Sequence, residues 1–176
     1  MKWMQNLRGE DIGIIAPYAA QIKFLTRLFN SDASYKQRFK SVLGDYRAMQ
    51  IEHIEVKTVD GFEGREKEII VFSTVRNNST GHIGFLADRR RLNVGLTRAK
   101  RGLFVIGSIQ TLQSSKTSKD IVRVGKGADS WRRYAQFLTE GGSVVTLTGD
   151  SLSKALYGHL NTRTPDMAQT FFRQRP

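Results

Sequence analysis

The sequence predicts an α/β sandwich with a mainly parallel sheet. Short apolar runs of strand character, at 12–16, 68–75 and 103–107, alternate with segments of helical spacing at 18–29, 87–99 and 130–140. The run EIIVFSTV at 68–75 is almost continuously apolar, as expected of a strand covered on both faces.

Taken in order, IGIIA (12–16) reads as a buried strand. Pro17 ends it, because proline cannot donate to a ladder. In YAAQIKFLTRLF (18–29), Ile22, Leu25, Leu28 and Phe29 fall at helical spacing. Residues 30–50 are polar, with a helix near 35–43. IEHIEVKT (51–58) alternates apolar and polar residues as a strand does, and 68–75 follows as the central strand. NNSTGHIGFL (77–86) reads as a loop. The helix at 87–99 has Asp88 near its start, where negative charge is favoured. Gly95 inside it weakens the helix by about 1 kcal/mol relative to alanine, so the position implies a packing reason. Gly102 suits a stop before a strand at 103–107, and 113–129 is loop-like. A helix at 130–140 puts Trp131, Tyr134, Phe137 and Leu138 on one face, and SVVTLT (143–148) reads as a final strand. Residues 1–149 thus form one domain, and 150–176 read as a flexible basic tail.

Composition limits the function classes. There are no cysteines, which excludes disulfides and thiolate metal sites. No apolar run approaches the roughly 18–20 residues that span a bilayer, and the N-terminus has no apolar core of signal-peptide length. The interior of a cell is therefore the expected location, with no membrane partner. Lys and Arg number 28 against 16 Asp and Glu, a net charge of +12. That excess favours a polyanionic partner, be it nucleic acid, nucleotide phosphates or an anionic membrane, over a merely soluble basic surface.

Several catalytic patterns are missing. The chain has no G-x-x-x-x-G-K-[ST] to cradle phosphates; GKGAD at 125–129 lacks the spacing and the hydroxyl residue. His53, His82 and His159 have no metal-ligand spacing, and no G-x-S-x-G elbow occurs.

Three segments carry the remaining signal. In APYAAQ (16–21), at a strand-to-helix corner, Tyr18 either stacks on a base or packs under the helix. In KTVDGFEGREKE (57–68), Gly61 and Gly64 permit close backbone approach, Thr58 suits a phosphate, Glu66 suits ribose hydroxyls and Arg65 suits phosphate or a neighbouring carboxylate. In DRRRLNVGLTRAKR (88–101), Arg91, Arg98 and Arg101 fall at separations that can share a helix face. An arginine fixed there suits a terminal phosphate.

These segments, in this order and spacing, resemble the second RecA-like domain of superfamily 1 helicases, in the branch of the nonsense-mediated-decay helicase, senataxin and the immunoglobulin mu-binding helicase. IGIIAPYAAQ is similar to motif IV, VKTVDGFEGREKEIIVFSTVRNN to motif V and GFLADRRRLNVGLTRAKRGLFVIG to motif VI. The resemblance covers roughly residues 10–148. It implies a RecA-like, P-loop-NTPase-type three-layer sandwich that lacks the P-loop itself. It further implies that Tyr18 stacks on adenine with Gln21 also at the nucleotide. By the same resemblance Gly64 and Glu66 would line the nucleotide, and Arg98 would be the arginine finger. Thr58 and the Arg76–Asn77 corner would lie towards single-stranded RNA or DNA. Glu63 departs from the family's frequent glutamine, and Ile22 stands where some members have a second phosphate-facing arginine. The implied cofactor is ATP with Mg2+, whose ligands belong to a P-loop-bearing first domain, normally in the same polypeptide. The chain alone is then expected to lack appreciable activity. The alternative is a stand-alone nucleic-acid-binding module without catalysis, which the +12 charge also favours.

Overall fold

The computed structural model describes residues 6–114 and 127–149. Four strands form one all-parallel sheet: β1 (Ile12–Ala16), β2 (Glu55–Thr58), β3 (Lys67–Ser73) and β4 (Ala99–Ile106), in the order β2-β1-β3-β4. The helices are α1 (Ala19–Asn30), α2 (Ala33–Leu43), α3 (Asp45–Gln50), α4 (Arg89–Leu96), α5 (Ile109–Gln113) and α6 (Gly127–Glu140). This is the α/β architecture with a parallel sheet that the strand–helix alternation predicts, and it agrees with the RecA-like fold that the resemblance implies.

One face of the sheet carries Ile15, Ile70 and Phe72, all fully buried. Against it pack Phe62, Leu92 of α4 and Trp131 of α6. The Trp131 indole N–H donates to the Leu86 carbonyl at 2.8 Å, so this buried ring leaves no unpaired donor. The glycines in this layer are explained by close approach. A Cβ on Gly13 would come within 2.5 Å of the Phe62 ring, and one on Gly95 would collide with the Phe72 ring. The packing reason for Gly95 is therefore Phe72.

Three expected elements differ. Only Glu55–Thr58 of the 51–58 stretch joins the sheet; Ile51–His53 is a 3-10 turn that buries Ile51. The strand expected at 103–107 starts earlier, at Ala99, and Gly102 lies inside it. Ile69 pairs with Gly102 whereas Lys67 pairs with Ala99, so β4 carries one extra residue, a bulge. A Cβ on Gly102 would stand 2.8 Å from Ile69 Cδ1. Residues 143–148 join no strand ladder and are exposed, Val145 by 79%, so the expected fifth strand is not formed. In addition, α6 begins at Gly127 rather than 130, and the polar 30–50 stretch holds a second helix, α3, beyond the one expected near 35–43. The tail expected at 150–176 lies outside the described residues.

Candidate functional site

In a parallel sheet every strand points the same way, so each connection carries the chain from the carboxyl edge back to the amino edge. The connection from β2 to β3 is residues 59–66. It starts beside Thr58, level with Ala16, and ends two residues below the level of Ile12, where Lys67 begins β3. At about 3.3 Å per residue, the two edges stand about 20 Å apart. Val59 and Phe62 anchor the loop in the core, at 2% and 0% exposure. Its polar residues are left outside. Helix α4 makes the same passage: Asp88 caps its start, accepting from Arg90 N at 2.8 Å, and its end delivers Arg98 to the base of β4.

At the amino edge stand Gly64, Glu66 and Arg98. Gly64 has φ of 72° and open space where a Cβ would be, so its backbone is accessible to a ligand. Glu66 is exposed. Lys67 N donates to the Arg98 carbonyl at 3.1 Å, which ties this loop to the end of α4. The half-buried Arg98 folds back over α4. Its Nε donates to the Val94 carbonyl at 3.1 Å and its Nη2 to Thr97 Oγ1 at 3.1 Å. A cation is favoured at a helix C-terminus. Arg65 and Lys67 both pair with Glu55, at 2.8 and 3.2 Å.

At the carboxyl edge stand Thr58, Tyr18, Gln21, Arg76 and Asn77. Thr58 Oγ1 accepts from Gly61 N at 3.1 Å, which leaves the hydroxyl proton to donate outwards. Arg76 Nε donates to the Tyr18 hydroxyl at 2.6 Å, and its guanidinium carbon lies 4.9 Å from the ring centroid. Phe85 meets Tyr18 edge-on, with centroids 5.5 Å apart and planes at 81°. The turn that aims Arg76 is unusual. Val75 has φ of 63°, and Arg76 N donates to the Thr74 carbonyl at 2.7 Å. A positive φ at a β-branched residue is strained. Gly84, with φ of 55°, makes room: its Cβ would stand 2.7 Å from Tyr18 Oη and 2.8 Å from Arg76 Nη2.

The structure thus brings Tyr18 and Arg76 into contact at one edge, and places Gly64, Glu66 and Arg98 towards the other, where Lys67 N bonds the Arg98 carbonyl. The expected arginine face is also divided. Because α4 ends at Leu96, Arg101 lies in β4 and pairs with Glu68 at 2.7 Å. Arg91 instead holds Asp60 through two 3.0 Å hydrogen bonds, and Asp60 raises its pKa. Asp60, Phe85 and Val75 join these sites without a motif in the sequence that assigns them there. An aromatic in a glycine-rich loop and an acid directly before the first of two glycine hinges are the available signals. Among the described residues, no group of His, Asp or Glu could hold a metal ion, and no helix is long and apolar enough to cross a membrane.

A family profile described as an AAA domain matches residues 1–110, more than half of the chain. The chain belongs to this family. It is a superfamily 1 helicase domain of the branch that includes the nonsense-mediated-decay helicase and senataxin. The helicase domain is 42% identical over 114 residues to the probable helicase MAGATAMA 3 of Arabidopsis thaliana, covering 65% of this chain and 12% of that protein. It is 44% identical over 107 residues to a regulator of nonsense transcripts 1 homolog of Neurospora crassa, covering 61% and 9%. With helicase sen1 of Schizosaccharomyces pombe it shares 45% over 109 residues, covering 62% and 6%. The chain therefore spans about a tenth of the length of these relatives.

Proposed function

We propose that this chain is the C-terminal motor half of an ATP-dependent helicase acting on single-stranded RNA or DNA. The supporting observation is the pair of connectors, loop 59–66 and α4. They run side by side between the edges and are joined by the Asp60–Arg91 pair. In this reading the amino edge is one wall of the ATP site. Glu66 takes the ribose hydroxyls, Gly64 offers its backbone, and Arg98 leaves the end of α4 to face the terminal phosphate. When bound, ATP would supply the phosphoryl group, and residues of a P-loop-bearing partner domain would hold its Mg2+. The carboxyl edge, with Thr58, Arg76 and Asn77, takes the strand.

Tyr18 and Gln21 go with the strand in this proposal. The base and ribose of one nucleotide are only a few ångströms apart, so a nucleotide gripped by Glu66 does not reach Tyr18 across the sheet. This reading therefore places Tyr18 against a base of the strand in place of the adenine.

The test joins this chain to a P-loop-bearing first domain. Arg98→Ala should then lower ATP turnover about a thousandfold or more while leaving nucleotide binding nearly intact. Undiminished turnover overturns the assignment.

The net charge of +12 favours a second reading, a binding module without catalysis. Single-strand affinity measured at two salt concentrations, with and without ATP in the joined protein, separates the two. Salt-steep binding that ignores ATP supports the module.

A further inference from the structure

We propose that Phe85 is a stacking surface for an unpaired nucleobase at the carboxyl edge. This rests on the reading of that edge as the single-strand face.

Phe85 is 55% exposed, whereas Ile83, Leu86 and Ala87 around it are 0–3% exposed. The 3-10 turn Gly84–Ala87 thus sends its neighbours inward and this one ring outward. The ring is not loose. The Arg91 guanidinium carbon lies 5.2 Å from its centroid, and Arg91 is itself fixed by both Asp60 oxygens. Tyr18 meets the ring at 81°, and Tyr18 is held by Arg76. Gly84, at φ of 55°, has no room for a side chain beside Tyr18 and Arg76, which fixes the approach of the turn. A ring immobilised before binding loses little entropy when a base stacks on it.

The charge around the ring suits a phosphate-linked base. Arg76 and Arg91 flank the aromatic pair, and the turn leads into the first residues of α4, where Arg89 and Arg90 are exposed. The nearby carboxylates are already committed, Asp60 to Arg91 and Asp88 to the start of α4. Cations around a flat apolar face recognise single-stranded nucleic acid with little sequence preference, because every base has a π-face. An apolar protein segment would place these guanidiniums against apolar surface, so nucleic acid is the better match.

The experiment uses the chain with fluorescein-labelled oligo(U) and oligo(dT) of about 15 nucleotides, read by anisotropy at low salt. An abasic strand of equal length carries the same phosphates without bases. Phe85→Ala should weaken binding to the base-bearing strands about fivefold or more and leave the abasic strand unchanged. Phe85→Trp should restore affinity, and its added indole emission should be quenched on binding. Wild-type affinity of Phe85→Ala for the base-bearing strands overturns the proposal, and so does an equal loss on the abasic strand. The first result is also what a protein partner at Phe85 would give. No binding by the wild-type chain to any strand overturns the reading of this edge as well.

Discussion

Arg91 grips Asp60 with both arms of its guanidinium, Nε to Oδ1 and Nη2 to Oδ2, each at 3.0 Å. The two residues are 31 positions apart and lie on the two chain segments that cross from one sheet edge to the other. The Asp60 side chain is 66% exposed, so the pair contributes little to stability. Asp60→Asn should cost less than about 1 kcal/mol in urea denaturation. In the joined two-domain protein it should reduce the stimulation of ATP turnover by single strands several-fold. Arg91→Lys should behave alike, because lysine keeps the charge but not the fork. Full stimulation in both variants would remove the pair from any coupling role.

Gly95 faces Phe72 with no space for a methyl group. Alanine would gain about 1 kcal/mol of helix propensity. Overpacking against a buried ring costs about 1–3 kcal/mol. The packing term wins, so Gly95→Ala should lower stability. A more stable variant would show that α4 shifts freely on the sheet.

Thr74 is fully buried, and its hydroxyl oxygen has no hydrogen-bond partner among the described residues. A buried unsatisfied polar group costs about 1–3 kcal/mol, and valine has nearly the same shape. Thr74→Val should raise stability by about 1 kcal/mol. A loss of stability would reveal a partner for this hydroxyl.

Asp32 caps α2, accepting from Ser34 Oγ at 2.6 Å and from the backbone N–H groups of Ser34 and Tyr35. The Ser34 hydroxyl, then the Tyr35 amide, hold its pKa below the ordinary value of 3.8. A lowered folded-state pKa contributes stability that is fully present above the unfolded value and lost as pH falls through the folded one. Asp32→Ala should therefore melt earlier than wild type at neutral pH. The gap should hold down to about pH 5 and close below the ordinary carboxylate value. A gap independent of pH would assign the effect to something other than the ionised cap.

Much of the fold is legible because local signals agree with the tertiary outcome. IGIIA is apolar, ended by Pro17, and lies in the sheet's interior. Asp88 sits where a helix needs an acceptor, and it caps α4. The signals fail where one pattern fits two structures. IEHI alternates like a strand, yet a 3-10 turn buries Ile51 equally well. SVVTLT has strand composition but no ladder, because strand formation depends on a neighbour that composition cannot specify. Gly102 marks a bulge rather than an end, and only the register with β3 distinguishes them.

The candidate site was legible as motifs but not as places. Thr58 and Glu66 are eight residues apart and read as one loop, yet a parallel connection must return to the opposite edge. Tyr18 and Glu66 consequently fall on different edges. Phe85 was hidden inside a segment that reads as connector, since exposure is a tertiary property.

The outer edge of β4 has no strand beside it among the described residues. Phe104 and Ile106, 51% and 58% exposed, share one of its faces. Such an edge is a template for self-association. The charge of +12 keeps copies apart in dilute buffer. Salt removes that protection, since the Debye length shrinks to roughly 3 Å at 1 M. Self-association through this edge is therefore expected to rise with ionic strength, the reverse of what salt does to the protein's hold on nucleic acid.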